Sequence, residues 1–95
     1  MRVKICGITR LEDALLAEAL GAFALGFVLV PGSRRRIAPE AARAIGEALG
    51  PFVVRVGVFR NQPPEAVLRR MEEARLQVAQ LHGEEPPEWA EAVGR

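Results

Sequence analysis

Ninety-five residues, 49% of them apolar and 26% charged, bound the chain to one water-soluble globular domain with a modest core. The net charge is +1 with acids and bases interspersed, which excludes the basic stripe of a nucleic-acid binder; the Arg34-Arg35-Arg36 run is the one local exception. A single cysteine, Cys6, rules out an internal disulfide and suits a reducing compartment, and neither a signal-type apolar region after Met1-Arg2-Val3-Lys4 nor a bilayer-length apolar run is present, so the expected location is the cytoplasm, away from membranes.

Four β–α units are expected in chain order. The first strand runs over Arg2–Cys6, and a helix follows with Thr9 and Glu12 in capping-box spacing, apolar positions Leu11, Leu15, Leu16 and Leu20, and Gly21 as its stop. The second strand is Ala24–Leu29. Its helix starts at Pro39, is expected to bury Ala41, Ala44, Ile45, Ala48 and Leu49, and ends at Gly50. The third strand, Phe52–Phe59, leads to a helix near Pro63-Pro64 that uses Val67, Leu68 and Met71. The fourth, Val78–Leu81, precedes a helix near Pro86-Pro87 with Trp89, Ala90 and Val93.

Strands alternating with helices imply a parallel sheet with crossover connections. By two-residue alternation, Val3, Ile5, Val54, Val56, Val58, Ala79 and Leu81 form an apolar set suited to lie under helices. Lys4, Cys6, Arg55, Gly57, Phe59, Gln80 and His82 form a mixed set. A doubly wound, flavodoxin-like sheet buries both faces and should be apolar on both, whereas the inner face of a barrel tolerates polar groups near its active end. The fold class expected is therefore α/β, with parallel (β/α) units of a TIM barrel. A closed barrel takes eight strands, so four units make a half-barrel over residues 1–95 with open edges at the first and fourth strands. Lys4 and Arg55, read as inward charges, call for acids or ligands, and no inward carboxylate matches them.

In such a barrel the reacting groups sit at the carboxyl ends of the strands and in the loops that follow. Cys6 has two open readings. It is either a small buried apolar residue or a reactive thiol beside Gly7, with Lys4 on the same strand face favouring the thiolate. The Arg34–Arg36 run is either a solvated patch or a clamp on a carboxylate or phosphate, which the guanidinium fork suits. His82 is an acid, a base, a substrate hydrogen-bonder or a structural histidine. Gln80 reads as an interior hydrogen-bonding residue. No histidine–carboxylate cluster has metal-ligand spacing and no phosphate-cradling glycine loop occurs, so neither metal nor cofactor is expected.

Four segments, taken together, resemble phosphoribosylanthranilate isomerases: Lys4-Ile5-Cys6-Gly7-Ile8-Thr9 with Leu11-Glu12-Asp13-Ala14; Gly26-Phe27-Val28 with Pro31, Ser33-Arg34-Arg35, Ile37 and Pro39; Val56-Gly57-Val58-Phe59 with Asn61; and Gln80-Leu81-His82-Gly83. The resemblance implies a cofactor-free Amadori rearrangement in tryptophan biosynthesis, with a phosphosugar anthranilate as substrate. It makes Cys6 the general base and Arg35 the ligand of the anthranilate carboxylate. His82 and Gln80 come over as substrate-binding residues of the fourth-strand motif. It also implies a general-acid aspartate on a fifth strand and phosphate-binding loops after the last two strands, all at positions after Arg95. The chain by itself is accordingly expected to have little or no isomerase activity. The expected partner is a carboxyl-terminal half-barrel or a second copy, and the competing reading is a non-catalytic half-barrel module that assembles in either way.

Overall fold

The computed structural model describes residues 2–81, Gly83 and Glu88. Its elements run β1 (Lys4–Cys6), α1 (Leu11–Ala19), β2 (Ala24–Val28), α2 (Pro39–Ala48), β3 (Val54–Phe59), α3 (Pro64–Ala74) and β4 (Val78–Leu81). The expected fourth helix lies outside the described residues. All three strand pairings are parallel and the strand order is β1-β2-β3-β4. That sequential order is the order of a (β/α) barrel wall; a flavodoxin-like sheet reverses direction after its first strand. Among the described residues the two open edges are β1 and β4, as expected.

Register decides which residues share a face. Lys4 lies beside Ala24 and Val54, Cys6 beside Gly26 and Val56, and Val58 beside Gln80. One face therefore carries Lys4, Cys6, Val54, Val56, Val58 and Gln80. The other carries Ile5, Leu25, Phe27, Arg55, Gly57, Phe59, Ala79 and Leu81. This corrects the expected grouping: the phase of β3 is opposite to the one read from the sequence. Val54, Val56 and Val58 look inward with Cys6, whereas Arg55, Gly57 and Phe59 lie beneath the helices.

The core sits on that helix side. Leu25, Phe27, Phe59 and Ala79 pack with Ala14 and Ala17 of α1, Ala42 and Ile45 of α2, and Val67 and Ala74 of α3. Phe27, Phe59, Leu25 and Val67 are the largest side chains that are fully buried. Burying each stabilises the fold by about 1.5–3 kcal/mol. Gly57 lets β3 pass under α3, since a Cβ there would stand 2.7 Å from Leu76 Cδ1 and 2.9 Å from Phe59 Cε2.

Arg55 is tolerated on this face because each nitrogen of its guanidinium donates to a backbone carbonyl. Nη2 donates to the Gly46 carbonyl at 2.7 Å, Nε to the same oxygen at 3.1 Å and Nη1 to the Val53 carbonyl at 3.2 Å. It closes the carboxyl end of α2, where unpaired carbonyls and the helix dipole favour a cation. It is not an inward charge waiting for a ligand.

The first three helices lie where expected, while their buried faces agree only in part. α1 begins at Leu11 with Arg10 as N-cap and no side-chain cap, so the Thr9–Glu12 capping box does not form. Instead Arg10 sits 3.6 Å from Glu12 and 3.8 Å from Asp13, and those two acids occupy the first turn, where the dipole favours them. The buried face of α1 is Ala14 and Ala17; Leu11, Leu15, Leu16 and Leu20 are exposed, Leu20 at 77%. The two alanines join the core, and none of the four leucines does. α2 likewise buries Pro39, Ala42, Ile45 and Gly46, with Leu49 at its end, and leaves Ala41, Ala44 and Ala48 outside. In α3, Val67 and Ala74 are buried and Met71 is partly so, while Leu68 is exposed. No described helix is long and apolar enough to cross a membrane.

Candidate functional site

The inner face opens onto a cavity of about 430 Å³ at the carboxyl ends of the strands, lined by Cys6, Lys4, Arg35, Arg60, Ser33 and Gln80 over a floor of Val28 and Val58. Cys6 ends β1 and is exposed, so it is not a buried apolar residue. Its neighbour on β2 is Gly26, where a Cβ would stand 3.0 Å from the Cys6 sulfur. A larger residue there would displace the thiol.

Gly7 has φ +89°, a conformation open to glycine and costly for other residues, and it turns the chain out of β1. Its N–H and that of Ile8 both donate to the Gly26 carbonyl, at 3.0 and 3.1 Å. The end of β1 is thereby pinned to β2, and the Cys6 backbone with it.

Arg35 reaches this point through the loop after β2. Gly32, with φ +85°, reverses the chain; Ser33 N–H then donates to the Val30 carbonyl at 3.2 Å and Arg36 N–H to the Ser33 carbonyl at 3.2 Å. Ile37 is buried and its N–H returns to the Val28 carbonyl at 3.0 Å, so both ends of the loop are tied to β2. The Arg35 side chain lies across Gly7: a Cβ at Gly7 would stand 2.7 Å from Arg35 Nη1 and 2.8 Å from its Cδ. Nη1 donates to the Cys6 carbonyl at 3.5 Å, a long and weak contact. Arg34 and Arg36 are exposed and do not line the cavity. Of the three consecutive arginines, only the middle one joins Cys6.

Lys4 Nζ donates to Gln80 Oε1, linking the first strand to the fourth across the concave face. The inward ammonium is thus met by an amide and not by a carboxylate. Among the described residues no acid lines the cavity, and the ion pairs of Arg10, Arg43 and Arg70 lie elsewhere. His82 lies outside the described residues. Arg60, given no role from the sequence, lines the same cavity. The signal for it was the two-residue alternation from Val56 and Val58, hidden by the reversed phase of β3. Among the described residues no group of three or more His, Cys, Asp or Glu side chains could hold a metal.

With three cations, a thiol, an amide and an apolar floor, the cavity suits an anionic organic molecule. Residues 3–95 match the family profile of N-(5′-phosphoribosyl)anthranilate (PRA) isomerase. The N-(5′-phosphoribosyl)anthranilate isomerase of Thermotoga maritima is 57% identical over 88 residues, which are 93% of this chain and 43% of that protein. The crystal structure of phosphoribosyl anthranilate isomerase from Thermus thermophilus superposes with a TM-score of 0.98 at 96% identity, covering 100% of this chain and 48% of that one. A phosphoribosyl anthranilate isomerase in complex with reduced 1-(o-carboxyphenylamino)-1-deoxyribulose 5-phosphate superposes with a TM-score of 0.95 at 54% identity, over 98% of this chain and 48% of that one. The chain spans about half the length of each of these relatives.

Proposed function

Because the chain belongs to the N-(5′-phosphoribosyl)anthranilate isomerase family, we propose that it forms the amino-terminal (β/α)₄ half of a (β/α)₈ barrel that converts N-(5′-phosphoribosyl)anthranilate into 1-(2-carboxyphenylamino)-1-deoxyribulose 5-phosphate, in the cytoplasm. The observation that carries the proposal is the meeting of Cys6 and Arg35 at one mouth, with the Arg35 guanidinium laid over Gly7 next to the thiol-bearing residue.

The reaction moves protons and electron pairs within one molecule and needs no redox partner. An acid first protonates the furanose ring oxygen, the C1′–O bond breaks and the nitrogen lone pair forms an iminium. The Cys6 thiolate, the basic form of the side chain, then removes the C2′ proton. The C2′–H electrons form a C1′–C2′ double bond and the iminium electrons return to nitrogen, giving an enolamine. Tautomerisation moves a proton from the C2′ hydroxyl to C1′ and leaves the ketone. Arg35 grips the anthranilate carboxylate as a fork, holding C2′ over the sulfur. Gln80, fixed by Lys4, supplies a polar contact to the sugar from the opposite wall. His82 enters the proposal on its motif alone.

Among the described residues no carboxylate lines this cavity, and in this proposal the acid of the first step is supplied by the complementary half of the barrel. The open edges of β1 and β4 and the exposed leucine stripe of α1 are the surfaces that half would cover. The test is a fluorescence assay that follows the loss of freshly made substrate, run on the full-length protein and on residues 1–95 alone. Turnover by the full-length protein and close to none by the isolated chain is expected. An inactive full-length protein, or an isolated chain as fast as the whole, would contradict the proposal.

A further inference from the structure

Resting on that reading, we infer that Arg60 is a second substrate-binding residue, whose guanidinium takes the free side of the aromatic carboxylate held by Arg35.

Placement comes first. Val54, Val56 and Val58 face the concave side, and Arg60 continues their alternation one residue past the end of β3. It lines the same cavity as Cys6 and Arg35. Its backbone is fixed there: the Arg60 N–H donates to Gln62 Oε1 at 3.2 Å, and Gln62 Nε2 donates in turn to the Leu29 carbonyl at 3.4 Å, tying the loop to the end of β2. Asn61, with φ 54°, then turns the chain away into α3. Gly83 seats the aliphatic stem of Arg60, since a Cβ there would stand 3.0 Å from Arg60 Cγ.

Charge supplies the second argument. Two guanidinium groups and an ammonium line one cavity, with no acid lining it among the described residues. Neither Arg35 nor Arg60 takes part in an ion pair among the described residues. Lys4 is bound to Gln80. Uncompensated cations gathered on one concave wall call for an anion. Arg35 already leans one nitrogen on the Cys6 carbonyl. A carboxylate offers about four acceptor sites on its two oxygens, more than one partly engaged fork supplies. Arg60 reaches the same cavity from β3, two strands from Cys6, and completes the grip.

The test is calorimetric binding to the full-length protein of two reduced product analogues. One is reduced 1-(o-carboxyphenylamino)-1-deoxyribulose 5-phosphate; the other is its aniline counterpart, which lacks only the carboxylate. In Arg60→Gln the carboxylated ligand should bind about tenfold more weakly, while the aniline ligand should change by less than about twofold. Arg60→Lys, which keeps the charge without the fork, should fall between the parent and Arg60→Gln, and it carries the same comparison if Arg60→Gln fails to fold. Equal weakening of both ligands would place Arg60 on the phosphate or in the scaffold and overturn the inference, as would no change in either. A parent protein that binds neither ligand overturns the isomerase reading itself, and this inference with it.

Discussion

The guanidinium of Arg35 occupies the space that a side chain at Gly7 would fill, with Nη1 only 2.7 Å from the position of that absent Cβ. Residue 7 thus serves two ends at once. Its φ of +89° turns the chain out of β1, and its bare α-carbon is the floor on which the Arg35 side chain rests. In Gly7→Ala both fail together. Backbone strain should lower stability by about 1–3 kcal/mol, and displacement of Arg35 should raise the KM of the full-length protein. A thermal melt and steady-state kinetics on one preparation check both. Unchanged KM with lowered stability would detach Arg35 from substrate binding.

Replacement of the thiol separates chemistry from binding. Cys6→Ser retains a small polar side chain but supplies an alcohol where the proposed reaction needs a base. The expected loss in kcat is about 10²–10⁴-fold, with the affinity for the reduced product analogue nearly unchanged. Kinetics and calorimetry on the same variant test this, and a fully active Cys6→Ser would remove the sulfur from the reaction.

Arg35→Gln has the complementary signature. Loss of a charged fork from the carboxylate should weaken binding of the reduced product analogue by about tenfold or more, and Arg35→Lys should restore only part of it. The same substitution at Arg34 or Arg36, whose side chains stay out of the cavity, should change affinity little. Equal effects at all three arginines would mean that the run acts only as a diffuse positive patch.

Two glycines on opposite faces of the sheet should fail in opposite ways. A Cβ at Gly57 meets Leu76, Phe59 and Met71 on the helix side, so Gly57→Ala should cost about 1–3 kcal/mol of stability by overpacking. A Cβ at Gly26 meets the Cys6 sulfur at 3.0 Å on the concave side. Gly26→Ala should therefore lower kcat more than it lowers the unfolding midpoint. Denaturant titration and kinetics on the pair distinguish the faces, and reversed outcomes would contradict the register described above.

Arg55 gives the strictest check on which face is which. An inward charge at the site would affect catalysis, whereas the observed contacts to the Gly46 and Val53 carbonyls close a helix end. Arg55→Met should lower stability by about 1–3 kcal/mol, because buried carbonyls lose a charged donor, and should leave KM unaltered. A variant with normal stability and raised KM would return Arg55 to the concave side.

The order of elements was legible in the sequence because it depends on local physics. Glycines and prolines punctuate the chain at Gly21, Pro39, Gly50 and Pro64, and helical and two-residue periodicities fill the spans between them. The motif at Cys6 and the arginine run were legible for the same reason, as neighbours in the chain. Faces were harder to read. Leu11, Leu15, Leu16 and Leu20 look like the buried side of α1, yet alanines 14 and 17 are what meet the sheet. The leucine stripe stays exposed, and periodicity does not say which of two apolar sides meets the sheet.

By itself, then, the chain's sequence determined four strands, the helices after the first three, their parallel pairing and the identity of the thiol. Spacing along a chain encodes all of these. Tertiary structure alone decided the phase of β3, the seating of the half-buried Arg55 at the end of α2, the resting of the Arg35 side chain on Gly7, and the place of Arg60 in the lining of the same cavity. Each of those depends on register between strands far apart in sequence, and a one-residue change of register moves every side chain of a strand to the other face.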